Sequence, residues 1–540
     1  LLSIRRQRQM CIRDREIVMK QFIPAWYDSK NWWNSTTQPF YIKRKVTEFD
    51  DMISLISMHQ KNNSQFNTII LNYQPMLRLF LHRHGLYEMS YWSLFDDIQG
   101  VAQMSPQAID YRDLEWPEDT EFIYTPFQVI AITSETTYSK MNFSQEGYLF
   151  EIETYKEKSL QVKYLFDDRG FISSIEKFQN NGQLSYKEYL DINGHTIMIQ
   201  SLITQKVEIS RDFYSQFEKI EYSSIEEIIY EKLSQYYFKY IEHHDNVIVA
   251  ADQHHNDMIN KIFDLKNLCF SVFTQRNRTL EESILQSIIQ AQYCIVDTLE
   301  NEQLIKDFVK KHDIANHFSL MRITPFDVQT LPNMSSQLYE TNIGVWIDSL
   351  NEVRLKELID ILIQYSVERE NIRLHLLTRK NDTDIPEWLT YKIKNTNEQL
   401  NKNEEQLSLE VRDILETEVE EIEYIKLIFV PFEEHLLKEM SHLRVMIDLG
   451  NEPDLYLQIS SISVGIPQIN QLKTNYVDHK LNGLIINDTS ELIMALDFYL
   501  LNLKNWNYSF AHSIKLSEEF SSSKIITQLN HLIEGENNGT

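Results

Sequence analysis

Glu452 and Ser460 stand eight positions apart in NEPDLYLQISSISVGIPQINQLKTNYVDHKLNGLIIND (451–488), which also carries Gly465 and Pro467 in G-I-P and Asn482 and Gly483 in N-G. A carboxylate holds a diol through charge-assisted bonds, whereas a serine offers one neutral bond at best. Asp348 and Glu352 lie close together in VWIDSLNEVR. Carboxylates there repel an anionic diphosphate, which needs Arg, Lys or helix amides. Trp32 and Trp33, in WWNS, could line a cleft, although paired tryptophans more often plug a core beneath a loop. His243, His244, His254 and His255 form two pairs without the H-E-x-x-H spacing, and they read as loop histidines rather than metal ligands.

Composition narrows the class. The chain has 540 residues, so two to four domains are expected, and 42% hydrophobic residues suffice for their cores. A formal net charge of −27 disfavours nucleic acid as a partner. Only Cys11, Cys269 and Cys294 are present, without a C-x-x-C, which fits a reducing compartment and no zinc knuckle. No glycine lies between Gly194 and Gly344, which argues against a glycine-rich phosphate loop in that stretch. No cofactor is implied, and no apolar run is long enough for a transmembrane helix.

Residues 1–18 hold five arginines and lack the apolar stretch of a cleavable signal; they read as a non-native extension ahead of Met19. Residues 19–105 begin a Rossmann-like domain, with FIPAWY (22–27) and NTIILNY (67–73) as strands around the helix 50–62. Residues 106–225 alternate apolar and polar positions, with turn signals ending at Gly170, Gly182 and Gly194, the pitch of an antiparallel meander. Its aromatics, Tyr164, Phe166, Phe171, Phe178, Tyr186 and Tyr189, mostly cover the sheet's own core, while an exposed edge invites strand addition. Residues 226–334 return to the strand–helix pattern and complete the first domain around this insertion. Residues 335–500 form a second Rossmann-like domain, with an acidic, solvated helical arm at 395–423. Residues 501–540 are a helical segment that crosses back to the first domain.

Two such α/β domains with a returning last helix resemble the GT-B glycosyltransferase architecture. In its retaining members an E-x₇-E segment precedes G-x-P and a later N-G. Glu452 falls on the first glutamate, Gly465 and Pro467 on the G-x-P, and Asn482 and Gly483 on the N-G. The second glutamate, which the resemblance implies holds the donor's ribose, falls on Ser460. Asp348 stands where the resemblance calls for the arginine of a pyrophosphate clamp. The donor site is therefore degenerate at Asp348, Glu452, Ser460, Gly465 and Pro467, and no catalytic residue is assigned.

The opening FIPAWYDSKNWW, the meander LFDDRGFISSIEKFQNNGQLSYKEYLDINGH (165–195) and RITPFD (322–327) resemble one family over nearly all of residues 19–535. It is the first of the accessory secretory proteins of the accessory Sec export system of Gram-positive bacteria. The resemblance implies a non-catalytic, cytoplasmic subunit, membrane-associated through its complex. It also implies work with the second and third accessory secretory proteins, and delivery of serine-rich repeat glycoprotein adhesins to a SecA-type ATPase. A glycopeptide groove would lie in a cleft between the α/β domains, with Trp32, Trp33, Asp348 and Glu452 as its positions. The alternatives are an active glycosyltransferase acting on serine- and threonine-rich repeats, and a purely structural subunit. Deleting residues 1–18 should leave the thermal midpoint unchanged; a loss of several degrees by calorimetry would make them part of the fold.

Overall fold

The computed structural model describes residues 18–27, 32–35, 37–42, 50–101, 104–312, 317–369, 371–412, 422–431 and 433–535. Residues 1–17 of the extension read at 1–18, and positions 413–421 of the acidic arm, lie outside the described residues. The arm's earlier part belongs to the helix Glu387–Arg412. The chain divides into two units. One contains Asp50–Pro325, the described residues before it and the chain from Gln528 onward; the other contains Phe326–Thr527.

The first unit is built on seven parallel strands. Their order in space is Ser319–Arg322, Tyr293–Val296, Leu268–Val272, Asn246–Ala250, Lys20–Ile23, Phe66–Ile70 and Tyr91–Ser93. NVIVA and LCFSV are buried at every position, as strands covered on both faces must be. The Lys20–Ile23 strand ends earlier than FIPAWY suggests, because Pro24 has no N–H for the ladder. Asp50 caps the helix Asp51–Lys61 by accepting from the Met52 N–H at 2.9 Å.

Ten antiparallel strands, from Glu121–Tyr124 to Glu221–Tyr222, run in strict chain order through the insertion. Gly170, Gly182 and Gly194 turn its central hairpins at φ of +89°, +80° and +82°, where a side chain would be strained. Phe166, Phe171 and Tyr189 are buried while Tyr186 is exposed. The insertion is not a separate body. Tyr189, Ile197, Met198, Val207 and Ile209 share one apolar core with Ile69, Phe95 and Ile225 of the α/β part. Met141, Leu149, Ile152 and Phe166 form a smaller core with Tyr111.

A buried ion network ties the meander to the α/β part. Arg78, from the helix Leu77–Arg83, reaches Asp96 at 2.7 Å, Asp168 at 2.6 Å and Asp167 at 3.2 Å. Arg169 reaches Asp96 at 2.7 Å and Asp167 at 2.6 Å. Asp167, Asp168 and Arg169 belong to the D-D-R-G turn. Burial and the neighbouring Asp167 push the Asp168 carboxyl up, against the pull of Arg78.

The second unit carries six parallel strands in the order Ile425–Phe429, Ile372–Thr378, Thr341–Trp346, Leu443–Asp448, Gln468–Asn470 and Gly483–Ile485. Strand order reverses between Thr341–Trp346 and Leu443–Asp448, so the crevice at their carboxyl ends is where such sheets place ligands. Gly344 lets these two strands pack: a Cβ there would lie 2.4 Å from Leu443 Cδ1. The three-residue strands Gln468–Asn470 and Gly483–Ile485 are too short for alternation to reveal. The architecture is α/β, with two doubly wound parallel sheets and an inserted antiparallel sheet, as the composition and turn spacing predict.

Replacing Arg169 by Met leaves buried carboxylates uncompensated and should destabilise the first unit by about 3–5 kcal/mol in urea unfolding. His59 provides a pH test. Burial lowers its pKa from 6.5 to about 4, so it favours the folded state in neutral form. Its contribution is full above pH 6.5 and is lost as pH falls through about 4. Between those limits His59→Phe should gain roughly 1–3 kcal/mol on the parent chain in unfolding midpoints.

Candidate functional site

The candidate site is the carboxyl end of the second unit's sheet, where every functional group sits on a turn fixed by its neighbours. Asp348 follows the Thr341–Trp346 strand. It accepts from the Thr378 hydroxyl and from the Arg379 N–H at 2.8 Å, binding its turn to the end of the next strand. Burial raises its pKa, opposed by these two donors. Asp448 ends its own strand and accepts from Ser349 Oγ at 3.2 Å, Gly450 N–H at 3.1 Å and Asp454 N–H at 3.0 Å. Burial pushes this carboxyl up to about 6. Gly450 is required by closeness, since a Cβ would fall 1.9 Å from Ser349 Oγ.

Asp454 caps the helix Leu455–Val464 by accepting from the Leu457 N–H at 2.9 Å, and it forms an ion pair with Arg379. The Arg379 guanidinium lies 4.9 Å from the Trp346 ring centre and 6.0 Å from that of Tyr456. Arg379 is the site residue that the sequence reading missed. A cation immediately after the strand IRLHLLT was the available signal, but the family pattern directs attention to the preceding strand end.

The motif residues divide by environment. Glu452 is exposed on the loop before the helix. Ser460 is 2% exposed, in the middle of that helix, which packs on the helix Leu503–Glu519. Gly465 ends the helix at φ +75°, and a Cβ there would lie 2.5 Å from Phe510 Cδ2. The Pro467 carbonyl accepts from the Met446 N–H at 3.0 Å. Asn482 is buried, donating to the Tyr476 carbonyl and accepting from the Asp478 N–H, both at 2.7 Å. A Cβ on Gly483 would meet the Gln468 carbonyl oxygen at 2.6 Å. The glycines and Asn482 thus have packing and turn roles that need no ligand.

Trp32 and Trp33 take the buried-plug role that paired tryptophans more often have. They are 5% and 8% exposed, so neither presents an open ring face. Trp32 packs edge-on against Tyr27 at 5.0 Å and stacks on His254 at 6.2 Å. They also belong to the first unit, whereas Asp348 and Glu452 belong to the second. His255 is held between Tyr27 Oη at 2.6 Å and the Ala250 carbonyl at 2.7 Å, and burial lowers its pKa to about 4. Among the described residues, no three His, Cys, Asp or Glu side chains are disposed to hold a metal.

The strand ends of the first unit are also internally satisfied. Arg276 binds Asp51 at 2.6 Å and Asp50 at 3.0 Å, and burial together with Asp51 pushes Asp50 up to about 6. A pocket beside Asp51, Ser271, Asp297 and Thr324 holds about 20 Å³, room for about one water.

Comparison with known proteins supplies the family. The pattern of accessory Sec system proteins of the first accessory secretory protein type matches residues 19–535. The chain belongs to this family. A Staphylococcus aureus (strain NCTC 8325 / PS 47) accessory Sec system protein of this type is 43% identical over 97% of the chain and 100% of its own length. The crystal structure of accessory secretory protein 1, 2 and 3 in Streptococcus pneumoniae matches with a TM-score of 0.78 at 26% identity, over 96% of this chain and 99% of that one. The pneumococcal O-GlcNAc transferase GtfA, solved with UDP and GlcNAc, matches with a TM-score of 0.68 at 13% identity, over 96% and 99%. That likeness shows a shared glycosyltransferase-like GT-B fold.

Two substitutions test the site. Gly465→Ala should cost about 2 kcal/mol or more in unfolding, from the left-handed backbone and the Phe510 contact. Asp348→Arg should destabilise the second unit by about 1–3 kcal/mol, because it strips the acceptor from Thr378 and Arg379. An unchanged unfolding midpoint would mean that the two strand ends do not depend on this carboxylate.

Proposed function

We propose that this protein is a non-catalytic binding subunit of an accessory Sec export complex. In this reading it works with the second and third accessory secretory proteins and helps deliver serine-rich repeat glycoprotein adhesins to a SecA-type motor. The observation that carries the loss of catalysis is Asp348. Where the resemblance calls for an arginine on the donor diphosphate, a carboxylate is engaged with Thr378 and Arg379. An anionic diphosphate meets repulsion there. Ser460, at the position assigned to the ribose, lies buried in a helix.

The same strand ends suit a neutral sugar on a peptide better than a nucleotide. Sugars are held by neutral hydrogen bonds and tolerate nearby carboxylates, and Glu452 stands exposed on the adjoining loop. Support for the partners comes from the pneumococcal structure, which contains the three accessory secretory proteins together. No helix among the described residues is long and apolar enough to cross a membrane. Following the family resemblance, the proposed location is the cytoplasm, with membrane association through the complex.

Incubation with UDP-sugars and acceptor repeats should release no UDP above a buffer blank, and protein-dependent release would establish the enzyme reading instead. Calorimetry with glycosylated repeat, bare repeat and UDP-sugar decides the rest. Glycopeptide alone should bind, with Kd between about 1 μM and about 1 mM. Binding of UDP-sugar alone would overturn the site assignment, and no binding would leave a structural subunit.

A further inference from the structure

The inserted sheet has an open edge that the export reading does not use. Among the described residues its outermost strand, Glu121–Tyr124, pairs only with Val129–Ile132, through Glu121–Ile132, Phe122–Ala131, Ile123–Ile130 and Tyr124–Val129. Thr125 N–H bonds inward to the Gln128 carbonyl at 3.1 Å. Antiparallel alternation then turns the N–H and C=O groups of Phe122 and Tyr124 outward. Tyr124 is 66% exposed and Ile123 41%. The strand has no lysine, proline or bulge, and its guards are its four-residue length and the charge of Glu121. At its turn end the exposed rings of Tyr41 and Phe127 pack together, 5.4 Å apart.

Charge selects the occupant. Asp113, Glu115, Glu118, Asp119 and Glu121 are exposed beside this edge, without an ion-pair partner among the described residues. Among the described residues of that segment the one cation, Arg112, is already paired with Asp110 at 2.6 Å. A second copy of this chain would set the same five carboxylates against these five, and nucleic acid meets the same repulsion.

We propose that this edge accepts an extended, lysine- or arginine-bearing peptide segment as an eleventh strand. The backbone groups of Phe122 and Tyr124 take the ladder bonds. The carboxylates take alternate basic side chains, and the Tyr124, Tyr41 and Phe127 rings cover their stems.

The test uses fluorescein-labelled octapeptides alternating threonine with lysine or threonine with glutamate. They are titrated into the full chain by anisotropy at about 0.15 M salt, where long-range attraction is screened. The lysine peptide should bind about tenfold tighter than the glutamate peptide or better. Tyr124→Pro removes an outward donor and leaves the ladder to Val129–Ile132 intact. It should weaken the lysine peptide about tenfold, against less than about threefold for Tyr124→Val. Reversing Glu118, Asp119 and Glu121 to lysine should exchange the two peptides' ranking. In the unsubstituted chain, hydrogen exchange at Phe122 and Tyr124 should slow when the lysine peptide is added, whatever Tyr124→Pro does to folding. Unchanged exchange at both amides would overturn the proposal, as would equal binding to folded Tyr124→Pro or no binding at all.

Discussion

Five buried ionisable side chains tie the inserted sheet to the rest of the first unit. Arg78 and Arg169 face Asp96, Asp167 and Asp168, and the two arginines and Asp168 have side chains no more than 4% exposed. Each charge is tolerable only because the others are in place, since an unpaired ion at that depth costs several kcal/mol. The network joins a helix end, a second helix and the tip of one hairpin, so it admits only one register of the meander on the α/β part. The Tyr73 hydroxyl to Ser173 and Ser174, and Gln99 to the Ser173 and Leu190 carbonyls, extend the same docking with neutral bonds. An apolar surface alone would let the sheet slide; matched charges do not.

The second unit keeps the outline of a donor site while its polar groups serve the backbone. Asp348, Asp448 and Asp454 each accept from strand-end or helix-start N–H groups, joining three successive turns into one rigid platform. Gly344, Gly465 and Gly483 persist for steric reasons that apply with or without a nucleotide. A motif that survives for packing leaves a sequence looking more like an enzyme than its side-chain environments do.

Much of this was legible in the chain. Runs such as NVIVA and IRLHLLT identify parallel strands because both faces are buried, and IRLHLLT matches its strand residue for residue. The twelve-residue spacing of Gly170, Gly182 and Gly194 marks the meander because each of those turns takes a positive φ that glycine adopts without strain. What could not be read was pairing at a distance. WWNS offers two rings fit to plug a core but does not show that Tyr27 and His254 are the groups against Trp32. Arg379 stands out locally only as a cation at a strand end, since its partner Asp454 lies seventy-five positions later. The outer strands Glu121–Tyr124 and Val129–Ile132 escaped notice because they are four residues long and few polar residues alternate with apolar ones there.

The pairing of Lys20 with Asn246 has a consequence for the order of events during synthesis. The Lys20–Ile23 strand emerges from the ribosome more than two hundred residues before the Asn246–Ala250 strand it must lie beside. At about 5–20 residues per second that is a wait of roughly ten seconds to a minute. The ten-stranded insertion pairs neighbour with neighbour and can assemble during that interval. The nascent chain therefore exposes a half-finished parallel sheet beside a completed antiparallel one, with the Arg78 network available as the surface on which the rest is laid down.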